Sequence, residues 1–387
     1  MRDEPTDKPP LLVFSDDWGR HPSSSQHLIG QLLGRRQVVW VNTIGTRPLR
    51  VDLQTARRVV EKLRQWGHRG TATVASDLGH GHAPRVLNPR MWPSFGSRVG
   101  RAINRWLLRR ALRQVVQTLP QPPVVVTTLP LMADLVGEFP ARRWVYYCVD
   151  DFGTWPGYDG ATMLRMEREL VAKVDAAVAV SDTLVEHLRK LGRPAALLTH
   201  GVDLAHWRQQ AADASREELA GLEGPFVVFW GVVDRRMDVD FVRRLSRDLG
   251  TGTIVLFGPL DDPDPALLAL SRVVARPAVP FARLPAIARA AAVLVMPYAD
   301  LPATRALQPL KLKEYLATGR PVVVRDLPAT RPWADACDVC DTADTFARAA
   351  VRRIVEGVPE SQRVARERLA DESWAGKARQ FEAWLDG

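Results

Sequence analysis

Cysteine is scarce in this chain, with three in 387 residues, at Cys148, Cys337 and Cys340. An odd, sparse set supplies no disulfide framework and fits a reducing compartment. Cys337 and Cys340 form a lone CxxC. With no second pair of ligands it does not make a zinc site, and small buried residues at a strand end account for it better. Long apolar runs are missing as well. No stretch approaches the ~20 residues that span a bilayer, and Met1-Arg2-Asp3-Glu4 does not open a signal peptide. The expected location is therefore the cytoplasm. The loop after the first strand is not GxGxxG, so dinucleotide binding gains little support. There is no internal repeat and no low-complexity segment. Acids are rare in one region: between Arg47 and Arg113 the only ones are Asp52, Glu61 and Asp77.

What is present describes a globular protein. Apolar residues make up 46% and charged residues 25%, and 387 residues suffice for two α/β domains. The net charge of +9 points to an anionic partner, whether a membrane surface, a nucleic acid or a phosphorylated substrate.

One stretch organises the rest. An apolar strand, residues 292–298, and a polar loop, 299–306, lead into Leu307-Gln308-Pro309-Leu310-Lys311-Leu312-Lys313-Glu314-Tyr315-Leu316-Ala317-Thr318-Gly319. Pro309 suits the first turn of a helix, where its missing N–H costs nothing. Leu310, Leu312, Leu316 and Ala317 give that helix an apolar side, Gly319 ends it, and Pro321 opens a buried strand, 322–324. This is a strand–loop–helix–strand unit of a parallel sheet. Its helix N-terminus faces the carboxyl edge of the sheet, where anionic ligands bind. Lys311 or Lys313 can add a cation there, and Glu314, one turn in, can accept hydrogen bonds from a diol such as ribose. An ordinary buried helix is the plainer alternative.

Earlier in the chain, residues 11–15 form a first strand and run into Asp16-Asp17-Trp18-Gly19-Arg20-His21-Pro22-Ser23 before a helix from Gln26. A Gly/Ser-rich loop at that place can hold phosphate or sugar hydroxyls, or its serines can cap the helix. Strand 37–41, a basic helix at 53–66 and a strand at 71–75 follow. The helix at 96–119 carries Val99, Ile103, Trp106, Leu107 and Ala111 at helical spacing, with Arg98, Arg101, Arg105, Arg109, Arg110 and Arg113 around them. That pattern suits a helix lying on an anionic membrane, and equally a core helix with a solvated basic face. Asp150 and Asp151 stand just past a strand, where α/β active sites lie. One could act as a base or orient an acceptor hydroxyl, and either could cap a turn. Residues 152–158, with Trp155, form an aromatic loop of the kind that stacks on sugar faces. Residues 205–224 read as a polar connector between domains. Asp238-Val239-Asp240 matches a metal-binding DxD in form, but Asp238 is better placed to open a helix, so no metal is expected.

The run Pro-Leu-Lys-Leu-Lys-Glu-Tyr-Leu-Ala-Thr-Gly-Arg-Pro-Val-Val resembles the nucleotide-sugar site of GT-B fold glycosyltransferases, specifically retaining family 4. Some members acting in bacterial cell-surface polysaccharide synthesis share its Pro-x-Lys-Leu-x-Glu-Tyr-Leu-Ala form. Thr199-His200-Gly201-Val202-Asp203 is similar to the Asn-Gly-Val-Asp turn that leaves the first domain in that family. The resemblance implies an α/β GT-B fold, two Rossmann-like domains facing across a cleft. It gives residues 1–203 as the acceptor domain, 204–372 as the nucleotide-sugar domain, and 373–387 as a helix crossing back. It implies that Glu314 holds the nucleotide ribose. Ala306 stands where many members carry a second Glu near the donor sugar. The remaining donor contacts it implies are Gly19, Gly231, Gly258, Val279, Thr304, Pro309, Leu310 and Lys311. Arg235 and Arg236, the latter preferred, would grip the diphosphate and stabilise the leaving group. His21, Ser23 and Trp155 would meet the acceptor, with Asp150 and Asp151 at the reacting hydroxyl.

The expected reaction is transfer of a hexose from a nucleoside diphosphate sugar, a UDP-sugar by preference, to a hydroxyl of a lipid-linked or glycan acceptor. It needs no cofactor or metal, and retention of configuration rests on the resemblance. Peripheral contact with the inner face of the plasma membrane would run through the arginine-rich helix. Two alternatives stay open: a GT-B fold sugar-nucleotide epimerase, and a protein that binds or glycosylates nucleic acid through its basic first domain.

Overall fold

The structure, a computed structural model, describes residues 8–20, 22–43, 72–73, 82–209 and 215–387. His21, the basic helix expected at 53–66 and most of the strand expected at 71–75 lie outside the described residues. The chain divides into two compact units, one of Met1–Thr199 with Lys377–Gly387, the other of His200–Gly376.

In the first unit the sheet runs β3 (Ala72–Thr73), β4 (Arg85–Leu87), β2 (Val38–Asn42), β1 (Leu11–Ser15), β5 (Val124–Thr127), β6 (Arg143–Cys148), β7 (Ala176–Ala179), β8 (Ala196–Leu197). Only the β3–β4 pair is antiparallel among these. The central strands are runs of Val, Leu and aromatic residues because both of their faces are covered. The order reverses between β1 and β5. There the Thr128 N–H donates to the Phe14 carbonyl at 3.0 Å and its hydroxyl to Ser15 at 2.9 Å. Residues Lys377–Gly387 complete this unit: Phe381 lies 5.4 Å from the Tyr147 ring, and Glu382 accepts from Lys8 (2.9 Å) and Arg35 (2.7 Å).

The helix Arg98–Gln117 begins under a cap from Ser97, whose hydroxyl accepts from the Gly100 N–H at 3.0 Å. Its inner face is Gly100, Asn104, Leu108, Leu112 and Val115. Of the stripe read in the sequence, Val99, Ile103 and Trp106 lie on the other side and are exposed, while Leu107 and Ala111 are half-buried. Close packing at the first turn selects this face. A Cβ on Gly100 would come within 2.7 Å of the Ser94 carbonyl, and Asn104 exchanges hydrogen bonds with the backbone N–H (2.6 Å) and carbonyl (3.0 Å) of Trp92.

In the second unit the sheet runs β13 (Val273–Arg276), β11 (Thr253–Phe257), β9 (Phe226–Trp230), β14 (Ala291–Met296), β15 (Val322–Arg325), β16 (Asp338–Cys340), all parallel. Counted within the unit this is the order 3-2-1-4-5-6 of a doubly wound sheet, whose ligand crevice opens where the order reverses, between β9 and β14. A small parallel pair, β10 (Val233–Asp234) with β12 (Leu260–Asp261), sits beyond the carboxyl ends of β9 and β11. Asp238 opens the helix Val239–Asp248, accepting from the N–H groups of Asp240 (3.0 Å) and Phe241 (3.2 Å).

The polar connector expected at 205–224 holds more structure than its composition suggests. Leu204–Arg208 is a short helix capped by Asp203, and Trp207 on it is buried against Trp230, the rings 5.5 Å apart and nearly parallel. Near the other end, the helix expected at 361–370 is a short α-helix, Glu360–Ala365, followed by a 3₁₀ stretch, Arg366–Glu372.

Candidate functional site

The site is built at the reversal point of the second unit's sheet. β9 ends at Trp230 and the chain turns at Gly231, whose φ of +132° favours glycine. β11 ends at Phe257 and turns at Gly258, φ +147°. The two turns pack back to back: the Gly231 N–H donates to Phe257 (2.8 Å), and a Cβ on Gly258 would strike the Gly231 carbonyl. A Cβ on Gly231 would in turn collide with the ammonium of Lys311.

Lys311 comes from the helix Leu310–Ala317. That helix starts one residue later than the sequence suggests, with Pro309 as its extended cap (φ −73°, ψ 119°) rather than inside the first turn. Lys311 and Glu314, three residues apart, share one face. The Lys311 ammonium donates to the Tyr298 hydroxyl at 2.6 Å and lies 4.3 Å from the centroid of the Phe229 ring. No acid pairs with Lys311 among the described residues. A cation held by a phenol and a ring face keeps its charge available for an anion.

Lys313 points the other way. It is 2% exposed and bonds the His200 carbonyl and the Glu372 carboxylate, the latter at 2.7 Å. Of the two lysines the sequence offers, one serves the sheet edge and the other ties down the start and end of the unit.

Glu314 sits beside Trp230. The indole N–H points at its carboxylate at a long 3.5 Å, while the same ring meets Tyr315 edge-on at 4.3 Å. The Tyr315 hydroxyl accepts from the Trp230 backbone N–H at 3.1 Å, which fixes helix against strand. Burial pushes the Glu314 carboxyl up to about 7, and the Trp230 N–H and the Lys311 charge only partly oppose it. The group is thus poised between acid and carboxylate near neutral pH and has unused acceptor capacity.

The sequence favours Arg236 as the cation for an anionic ligand, and here the structure differs. Its guanidinium grips Asp234 through two nitrogens (Nε to Oδ1 2.9 Å, Nη2 to Oδ2 2.7 Å) and is 7% exposed. A tight turn makes an internal pair of residues two apart, so the charge is already offset. Arg235 is exposed and faces Asp262 at 3.5 Å.

Thr304 is buried with its hydroxyl spent on its own loop: it donates to the Leu301 carbonyl (3.0 Å) and accepts from the Leu301 N–H (2.9 Å). Ala306 is buried, so an apolar methyl fills the place where the resemblance expects a carboxylate. Val279 lies half-buried in the loop after β13, and Leu310 half-buried at the first turn of the helix.

In the first unit, Gly19 turns at φ +77° and its N–H donates to the Gln26 side chain at 3.1 Å. Ser23 caps the helix Ser24–Gly30 and donates to Asp16 at 3.1 Å. Both are therefore part of the loop's own hydrogen bonding. Burial raises the Asp16 carboxyl above the usual range, against hydrogen bonds from Ser15, Ser23, Gln26 and Ser25. Asp150 and Asp151 follow β6. Asp151 caps its turn by accepting from the Gly153 N–H at 3.1 Å, and Trp155, four residues on, is half-buried.

Trp230, Tyr298, Phe229 and Trp207 escaped the sequence reading. A strand ending Trp-Gly at a sheet edge, and a Tyr one residue past Met296-Pro297, were the available signals. Among the described residues no three His, Cys, Asp or Glu side chains gather as a metal site.

No protein-family model and no curated protein matches the chain. Solved structures do. It is similar over 98% of both chains to sucrose-phosphate synthase from Thermosynechococcus elongatus, at 16% identity and a TM-score of 0.70. It is similar to Anabaena HepE, solved in complex with UDP-glucose, at 12% identity and a TM-score of 0.62, over 98% of this chain and 100% of that one. It is similar to an E. coli trehalose-6-phosphate protein bound with UDP-2-fluoro glucose, at 12% identity and a TM-score of 0.66, over 97% of this chain and 98% of that one. The fold of this chain is the GT-B fold of these glycosyltransferases.

Proposed function

We propose that the chain is a glycosyltransferase that takes a hexose from a nucleoside diphosphate sugar and passes it to a hydroxyl acceptor, without a metal ion. One observation carries the reading. Glu314 and Lys311 on one helix face, with Gly231 and Gly258 beside them, converge on the reversal point of a doubly wound sheet. The carboxylate of Glu314 accepts from a ribose diol. The ammonium of Lys311 neutralises the diphosphate, and its charge stabilises the leaving group as the glycosidic bond breaks. Glycine turns let the backbone approach the phosphates. UDP is the preferred nucleotide, in line with the UDP-sugars bound in two of the similar structures.

The proposed acceptor is a lipid-linked or glycan hydroxyl met by the first unit, with Asp150 or Asp151 orienting it, as in synthesis of a cell-surface polysaccharide. Retention of configuration follows from the family the motif resembles. The test is release of nucleoside diphosphate from UDP-glucose and related donors, with and without a hydroxyl acceptor and in the presence of EDTA. Acceptor-dependent release that survives EDTA supports the reading. Acceptor-independent release of free nucleotide with an epimerised sugar would replace it with a sugar-nucleotide epimerase.

A further inference from the structure

The helix Arg98–Gln117 is apolar on two sides. Its inner face is accounted for by Leu108, Leu112 and Val115. On the outer face Val99 is 69% exposed, Ile103 37% and Trp106 61%. Outward aliphatic and indole groups grouped in this way are unusual on a soluble surface, where exposed apolar residues are scattered singly.

The spacing of the outer face is regular. Val99, Ile103, Trp106, Arg110 and Arg113 follow one another at four, three, four and three residues, so they form a single stripe whose first half is apolar and second half cationic. Arg98, Arg105 and Arg109 are exposed beside it, and residues 98–117 contain no acid. Arg105 and Arg109 share Glu138 at 3.2 and 3.1 Å. Among the described residues no acid pairs with Arg98, Arg110 or Arg113.

We infer that this outer face docks the first unit on an anionic lipid bilayer. Val99, Ile103 and Trp106 would enter the boundary between headgroups and acyl chains, and Arg110 and Arg113 would meet lipid phosphates. Charge complementarity selects a negative surface, and the aliphatic pair selects lipid over nucleic acid, which offers Val99 and Ile103 nothing to enter. No helix among the described residues is long and apolar enough to cross a membrane, so the contact is peripheral. The inference names a partner for the first unit and does not depend on the donor reading of the second.

The experiment is co-sedimentation of the full chain with vesicles of phosphatidylcholine alone and of phosphatidylcholine with phosphatidylglycerol, at two salt concentrations. The wild-type chain should bind the anionic vesicles and bind the neutral ones far more weakly. Arg110→Gln and Arg113→Gln should each weaken binding to anionic vesicles about fivefold. The combined Val99→Ser, Ile103→Ser and Trp106→Ser variant should weaken it about a hundredfold with charge unchanged. These side chains are exposed, so unfolding midpoints and nucleotide affinity should stay at wild-type values, which separates this result from the donor reading. Absence of binding to anionic vesicles would overturn the inference. So would binding that ignores the apolar variant. Duplex DNA binding that depends on the arginines and not on Val99, Ile103 and Trp106 would assign the face to nucleic acid instead.

Discussion

If Glu314 holds a ribose as a carboxylate, donor affinity must depend on pH in a calculable way. Burial sets its carboxyl at about 7 in the ligand-free protein. Only the ionised form accepts from both hydroxyls of a diol, so the apparent dissociation constant carries a factor of one plus the ratio of acid to carboxylate. That factor is roughly 11 at pH 6, 2 at pH 7 and 1.1 at pH 8, a tenfold tightening worth about 1.4 kcal/mol. UDP-glucose is the ligand to use, because the terminal phosphate of UDP itself titrates near a pKa of about 6. Calorimetry in buffers of different ionisation enthalpy should also detect about half a proton released per site at pH 7.

Glu314→Gln should flatten both effects. The sign for stability is opposite. A carboxyl raised above its unfolded value stabilises the folded state below the unfolded pKa and loses that contribution as pH rises through about 7. The contribution is on the order of 3 kcal/mol for a shift of this size. Nucleotide should therefore protect best at the alkaline end of that window. Flat affinity from pH 6 to 8 with no proton release, in a wild-type chain that binds, would refute the assignment.

Three further outcomes follow from the same geometry. Lys311→Met should weaken UDP by about 1.5–3 kcal/mol while changing uridine little, measured by calorimetric competition. Gly258→Ala should lower the free energy of urea unfolding by about 1–3 kcal/mol and weaken donor binding, since its Cβ meets the Gly231 carbonyl in a backbone region other residues avoid. Lys313→Met removes the partner of Glu372 and of the His200 carbonyl. It should cost about 3–5 kcal/mol in urea unfolding, with nucleotide affinity of the folded fraction unchanged.

The strand–loop–helix–strand unit around Pro309 was legible because each signal in it is local: a proline near the helix start, a helical apolar side, a terminal glycine and a β-branched strand. The parallel sheet of the second unit was legible for the same reason. The arginine helix was half legible. Two apolar stripes, Val99-Ile103-Trp106 and Leu108-Leu112-Val115, both keep helical spacing, and only the tight approach at Gly100 and Asn104 decides which turns inward. Lys311 and Lys313 could not be told apart in sequence, although two positions on a helix differ by more than half a turn. Arg236 looked like an available cation because nothing in a linear reading says that the turn folds Asp234 onto it. The buried stack of Trp207 on Trp230 joins a presumed connector to a strand 23 residues later, a contact of tertiary origin that composition cannot report.

The most direct test of the central claim is a calorimetric screen of UDP, GDP, dTDP and ADP, with and without magnesium, against the wild-type chain and Glu314→Ala. The account predicts micromolar binding of one diphosphate, UDP by preference, unchanged by magnesium and sharply weakened in the variant. Binding by none of the four, or equal binding by Glu314→Ala, would contradict it.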